Sequence, residues 1–181
     1  MDNEIELPYI TEVISKEQEQ NILSLIKTQP AKGNERNQIL RYGSLIPYAP
    51  YNVSKDIPDV FNKLGFEFQF DSVTINEYHP GQSLDFHFDL PLSGENIHVL
   101  SLLGKGDMIF KNSKGNIITQ GLEPRSLFTM KDELRWEYQH SSIAHELRYS
   151  IVFRDSRDKS LSRMVYCLKC QGYHQRYSTC Y

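Results

Sequence analysis

Ser72-Val73-Thr74-Ile75-Asn76-Glu77-Tyr78-His79-Pro80-Gly81 is the stretch on which the fold turns. Val73, Thr74 and Ile75 are β-branched, which suits a pleated sheet, and Pro80-Gly81 stops the run as a turn. Working outward, similar segments recur at 68–70 before it and at 84–89, 97–103, 107–112, 116–119, 126–130, 135–140 and 147–153 after it. Turn signals such as Gly104-Lys105-Gly106 and Lys114-Gly115-Asn116 separate them. Roughly eight short strands with close turns predict a mainly β protein, a sandwich or jelly roll rather than a parallel sheet. A double-stranded β-helix with flanking N-terminal helices is the expected architecture.

The helices come from the first third of the chain. Ser15 with Gln18 three residues later forms a capping-box pattern, and Ile22, Leu23, Leu25 and Ile26 supply an apolar stripe, so a helix is predicted over about 15–27. A second, short helix is expected from Pro58 to Leu64. Residues 30–37 are polar and turn-rich and read as a loop. The stretch from Arg41 to Tyr51 is aromatic but broken by prolines, which fits edge strands or an irregular surface element.

With 181 residues, 39% of them hydrophobic and 12% aromatic, the chain suits one globular domain and not a disordered one. No apolar run reaches spanning length, and the start Met1-Asp2-Asn3-Glu4-Ile5-Glu6 is acidic, unlike a secretory leader. An intracellular protein, cytoplasmic or nuclear and without membrane contact, is the expectation. The net charge of −3 is unevenly spread: residues 154–181 carry +4 and the remainder −7. A basic tail on an acidic body can follow a phosphate backbone, although a merely solvated tail has the same charge.

Chemistry enters with His87-Phe88-Asp89. On an extended segment these two side chains share a face, because strand side chains alternate. A distant second histidine would complete a triad of two histidines and one carboxylate, which leaves coordination positions open and is diagnostic of non-haem iron(II) oxygenases. His140, at the end of the strand-like run Arg135-Trp136-Glu137-Tyr138-Gln139, is favoured for that place over His145, which falls in the turn before Arg148. Arg148 and Arg154 lie six residues apart on one predicted strand and so share a face. Their planar forks match carboxylates, as a dicarboxylate co-substrate such as 2-oxoglutarate requires. The competing reading is that the histidines are ordinary hydrogen-bonded ones and the arginines serve surface ion pairs.

Taken together, Asn76-Glu77-Tyr78-His79-Pro80-Gly81, His87-Phe88-Asp89, Trp136 with His140, and Arg148 through Arg154 resemble the AlkB family of iron(II)/2-oxoglutarate nucleic-acid dioxygenases. The resemblance covers about residues 5 to 154. It implies that His87, Asp89 and His140 hold iron(II), and that Asn76, Tyr78, Arg148 and Arg154 hold 2-oxoglutarate. Within the family, Thr74 to Gln82 and Pro124-Arg125-Ser126-Leu127 are most similar to the branch that hydroxylates modified wobble uridines in transfer RNA. Residues 1–154 thus read as a dioxygenase domain and 155–181 as a basic Cys/His tail.

All three cysteines lie in that tail, as Cys167-x2-Cys170-x3-His174-x5-Cys180. The spacing is near that of a zinc knuckle, so Cys167, Cys170, His174 and Cys180 are candidate ligands for a structural zinc; free thiols, or a disulfide in an exported protein, are the alternatives. Tyr42, Tyr48 and Tyr51 fall where the family keeps a substrate-facing flap, and aromatic rings suit stacking on an extracted base; packing against the sheet is the competing role. His79 and His98 read as ordinary surface or turn histidines and Trp136 as core. The expected activity is oxidative demethylation or hydroxylation of nucleic-acid bases, in RNA or single-stranded DNA, with RNA favoured. The alternatives are a 2-oxoglutarate oxygenase acting on a protein side chain and a jelly-roll binding module without catalysis.

Overall fold

The computed structural model describes residue 5 and residues 7–29, 38–44, 54–89, 93–155, 164–167 and 172–175. Two antiparallel sheets face each other. The larger is built from β1 (Tyr9–Ile10), β2 (Gln38–Gly43), β3 (Ser72–Tyr78), β5 (Ile97–Leu102), β8 (Leu127–Met130) and β10 (Arg148–Arg154), in the order β1-β8-β5-β10-β3-β2. The smaller contains β4 (Ser83–His87), β6 (Gly106–Asn112), β7 (Ile117–Leu122) and β9 (Tyr138–Ala144), in the order β4-β9-β6-β7. β11 (Met164–Cys167) and β12 (Gly172–Gln175) pair separately as a hairpin. This is a jelly roll, as expected.

The opening stretch forms β3 at its predicted bounds, and the turn after it follows the chemistry of its residues. Gln82 N–H donates to the His79 carbonyl at 2.9 Å, and Gly81 takes the positive φ of +81° that a type II turn needs at its third position. Pro80 precedes it with a φ fixed by the ring. The turn sends the chain from the large sheet into β4 of the small one.

α1 (Lys16–Thr28) begins at the expected cap: Gln18 N–H donates to Ser15 Oγ at 3.1 Å, and Ser15 N–H donates to Gln18 Oε1 at 2.8 Å. Ile22, Leu23 and Ile26 pack on the outer face of the large sheet with Leu40, Tyr42, Val73, Ile75, Leu100, Ile151 and Phe153. α2 (Asp59–Asn62) adds Phe61 to this outer layer. A second core lies between the sheets, from Ile97, Val99, Phe128 and Val152 on one side and Met108, Phe110, Leu122 and Tyr138 on the other.

Three local expectations change. The run 135–140 is not one strand. α3 (Asp132–Trp136) takes its first part, and β9 starts at Tyr138. Residues 68–70 are not a strand either; Phe66, Phe68 and Phe70 instead set their rings around Phe153 at 5.7, 5.8 and 5.0 Å between centroids. Aromatic content is shared by strands and by such packed loops, so composition alone misleads here. His98 is not a surface histidine: it stacks on Phe68 at 3.6 Å, and its Nδ1 lies 2.9 Å from Thr129 Oγ1. The predicted loop at 30–37 lies outside the described residues. Among the described residues, no helix is long and apolar enough to cross a membrane.

Candidate metal and anion site

The antiparallel register sorts the side chains. Arg148, Ser150, Val152 and Arg154 lie opposite Tyr78, Asn76, Thr74 and Ser72, so all eight share the inner face of the large sheet. Ser101 and Val99 extend this face on β5. The alternate residues Tyr149, Ile151 and Phe153 point outward toward the helices. The inner face is therefore apolar toward the β5–β8 side and polar toward β3, where the expected functional residues gather.

His87 closes β4 and lies opposite His140 of β9, and their rings are 4.3 Å apart. Asp89 sits two residues beyond the end of β4 rather than on it. His87 Nδ1 lies 2.8 Å from the Asp85 carbonyl oxygen, which fixes the ring and leaves Nε2 for another partner. His140 Nε2 is 3.9 Å from Asp89 Oδ2, and His140 Nδ1 is buried without a hydrogen-bond partner. That separation is too long for a hydrogen bond, but two metal–ligand bonds of ~2.1 Å can bridge up to ~4.2 Å. As they stand, no three His, Cys, Asp or Glu side chains among the described residues are gathered tightly enough around one point to hold an ion. Arg154 explains part of this, since its NH2 donates to Asp89 Oδ1 at 3.0 Å and draws the carboxylate to itself.

The protonation states suit a cation. Burial works to raise the Asp89 pKa, but Arg154 first, then His140, Arg135 and His87, hold it well below the usual carboxylate range. Burial, and then the neighbouring His87, lower His140 to about 3, against the pull of Asp89. At neutral pH the group thus offers an ionised carboxylate and a neutral imidazole, the forms in which both residues bind metals. On donor chemistry and pairwise approach, the residues fit an iron(II) ion.

Arg148 has no exposed surface, and its two terminal nitrogens donate to Ser142 Oγ and Ser101 Oγ, each at 2.9 Å. The guanidinium lies 5.6 Å from the centre of the Tyr78 ring. Among the described residues no carboxylate pairs with it. Burial lowers the Arg148 pKa, and burial pushes the Tyr78 phenol up to about 12. A buried cation held only by hydroxyls is costly, and an anionic ligand would offset that cost. Arg154, by contrast, bonds Thr74 Oγ1 at 3.0 Å as well as Asp89. It lies at the Asp89 end of the site.

Two arginines escaped the sequence reading. Arg135, on α3, is 1% exposed, and it donates to the carbonyl oxygens of Asp89 at 3.0 Å and Gly94 at 3.2 Å. It was hidden in a run read as strand. Arg41 lies opposite Thr74 in β2 and so faces inward, between Leu40 and Tyr42, which face the helices' core. The period-two alternation of Leu40-Arg41-Tyr42 was the available signal.

Tyr42 is 2% exposed and packs against Phe61 at 6.1 Å between centroids, on the face opposite the site. That corrects its assignment to substrate and gives it the packing role. Tyr48 and Tyr51 lie outside the described residues. His145 pairs with Asp107 at 2.8 Å on the surface, whereas His140 lies beside His87 and Asp89. In the tail, Cys167 lies opposite Gly172 and His174 opposite Val165 in the hairpin, while Cys170 and Cys180 lie outside the described residues.

Known proteins resemble the chain in sequence and in fold. The Xenopus tropicalis protein named tRNA (carboxymethyluridine(34)-5-O)-methyltransferase alkbh8 is 30% identical over 150 residues, which cover 72% of this chain and 24% of that one. The "Uncharacterized protein L905" of Acanthamoeba polyphaga mimivirus is 29% identical over 144 residues, 67% of each chain. The chain spans only about a quarter of the length of the methyltransferase-named relatives. The solved structure of OsALKBH1 superposes with a TM-score of 0.64 at 11% identity, over 86% of this chain and 100% of that one, and so shares its fold. No family model matches the chain. By these relatives, by its fold and by the motifs of its inner face, the chain belongs to the AlkB family.

Proposed function

We propose that the chain is an iron(II)- and 2-oxoglutarate-dependent oxygenase that oxidises a substituent on a nucleic-acid base, with RNA favoured over DNA. The observation that carries this reading is the meeting, between the two sheets, of a two-histidine, one-carboxylate donor set with the buried Arg148, which no carboxylate among the described residues matches. The name of the Xenopus relative, a tRNA (carboxymethyluridine(34)-5-O)-methyltransferase, supports the choice of RNA.

His87, Asp89 and His140 would hold the iron, which with 2-oxoglutarate and O₂ supplies the oxidising chemistry. Arg148 provides a fixed charge for the far carboxylate of the co-substrate, in a pocket shared with Tyr78 and Asn76. Arg154 keeps Asp89 ionised and holds its Oδ1, while Oδ2 is the oxygen nearer His140. Val99, Val152, Met108 and Phe110, packed between the sheets, keep water from the apolar side. The expected net change is hydroxylation, followed by release of formaldehyde where the substituent is an N-methyl group. The tail belongs to the same proposal: Cys167, Cys170, His174 and Cys180 take one structural zinc.

Nucleoside mass spectrometry tests the activity. Pooled transfer RNA and methylated single-stranded DNA are incubated separately with the protein, iron(II), 2-oxoglutarate and O₂, with His87→Ala as control. Loss of a methylated base or gain of a hydroxylated one, only with the intact protein, supports the reading and names the polymer. No change in either pool, with iron bound, discards it in favour of a protein side chain as substrate.

A further inference from the structure

Arg41 is a charged side chain of the inner face that the proposed cofactors do not employ. It is 6% exposed, and its Nε is buried without a hydrogen-bond partner. Among the described residues it has neither a hydrogen bond nor an ion pair, although every neighbouring arginine of the site has partners. Arginine carries five N–H donors in a planar fork, so leaving such a group buried and unpaired is strongly unfavourable.

Its place in the sheet says what it faces. β2 is the edge strand beside β3, and Arg41 lies opposite Thr74, whose hydroxyl accepts from Arg154. Arg41 therefore borders the Arg154–Asp89 end of the site, where the iron ligands lie. Arg148 reaches instead toward Ser101 and Ser142, at the opposite end of β10. The electrostatics agree: burial first, then Arg154, lower the Arg41 pKa to about 10, and Asp89 only partly compensates.

The charges of the loaded site leave Arg41 unmatched. Iron(II), the Asp89 carboxylate and the 2-oxoglutarate dianion together carry one negative charge, which Arg148 and Arg154 already exceed. We propose that Arg41 binds an anionic group, a carboxylate or a phosphate, on the RNA substrate itself and so holds the target base beside the metal. This inference rests on the oxygenase reading above. The two sources of the anion are a carboxylate carried by the modified base and the phosphate of the backbone next to it.

The test uses the full chain loaded with iron(II) and 2-oxoglutarate without oxygen, so that binding is read without turnover. Three short stem-loop RNAs are offered, with 5-carboxymethyluridine, its amide or plain uridine at the same position. Affinities are compared for the wild type, Arg41→Gln and Arg41→Lys. Arg41→Gln is expected to weaken at least one RNA tenfold or more, and Arg41→Lys to recover much of the loss. A loss confined to the carboxylate-bearing RNA assigns the anion to the base, while an equal loss for all three assigns it to the backbone phosphate. Unchanged affinity for all three overturns the proposal. So does weakened 2-oxoglutarate binding with RNA affinity intact, which would make Arg41 a co-substrate ligand.

The visible charge-transfer band of iron(II) with bound 2-oxoglutarate is recorded on each protein as a control for loading and folding. A wild type without that band defeats the oxygenase reading; a wild type with it and no effect of Arg41 defeats only this inference. Should Arg41→Gln fail to fold, the wild type still discriminates. Equal affinity for the three RNAs that does not weaken when salt is raised means no anion is bound, and overturns the proposal.

Discussion

Arg135 reaches from α3 to donate to two carbonyl oxygens, those of Asp89 and Gly94, beside the candidate metal-binding carboxylate. Arg135→Met leaves both without that donor and is expected to cost about 1–3 kcal/mol of stability in urea unfolding. It should also lower cobalt(II) affinity, because the Asp89 backbone is no longer fixed; unchanged affinity would make Arg135 a purely structural residue. Arg148→Met removes the buried charge proposed to face the far carboxylate of 2-oxoglutarate. Loss of a charge-assisted bond worth about 1.5–3 kcal/mol predicts roughly ten- to a hundredfold weaker binding by calorimetry. His98 gives a pH prediction away from the metal. Burial lowers its pKa from 6.5 to about 4, so the unfolded chain binds more protons between these values. Its contribution to stability is complete above pH 6.5 and is lost as pH falls toward 4. The melting temperature of His98→Phe should therefore fall less over that window than the wild type's, and parallel curves would refute the assignment. At this scale, the sequence disclosed residues through motif spacing and missed those, Arg41 and Arg135, that belong to no motif.

Elements decide how tightly the site is held. β6 crosses behind Arg148 with Gly106, where an added Cβ would stand 2.5 Å from the Ile143 carbonyl oxygen and 2.9 Å from Arg148 Cδ. The carbonyl belongs to the β9 backbone and cannot yield. Gly106→Ala should cost about 1–3 kcal/mol by overpacking and should also weaken 2-oxoglutarate binding, through displacement of the Arg148 stem. If calorimetry shows normal co-substrate binding in that variant, the guanidinium is positioned by its serines alone. The α1 helix was legible down to its cap because the capping box is local: the two bonds join residues three apart. The break between α3 and β9 was not legible. Arg135 and Trp136 fit either element by propensity, and only their bonds to Asp89 and Glu95 choose.

The molecule as a whole brings together residues from both sheets: His87 and His140 from the small one, Arg148 and Arg154 from the large one, with Asp89 just past β4. The Arg148 bond to Ser142 on one side and Ser101 on the other ties the sheets together at the site. For the tail, metal analysis of the purified chain is expected to give one zinc besides iron, reduced by Cys170→Ser; an unchanged zinc content in that variant would exclude Cys170 as a ligand. By itself, the sequence determined the strand-rich class, the turn at Pro80-Gly81, the α1 cap and the motif residues of the family, because alternation, turn chemistry and capping act over a few neighbouring residues. Only the tertiary structure decided that Tyr42 packs in the outer core, that His145 stays with Asp107 at the surface, and that Arg41 and Arg135 border the site. Those outcomes depend on strand register and on which sheet face is covered, and both are set by contacts between residues far apart in the chain.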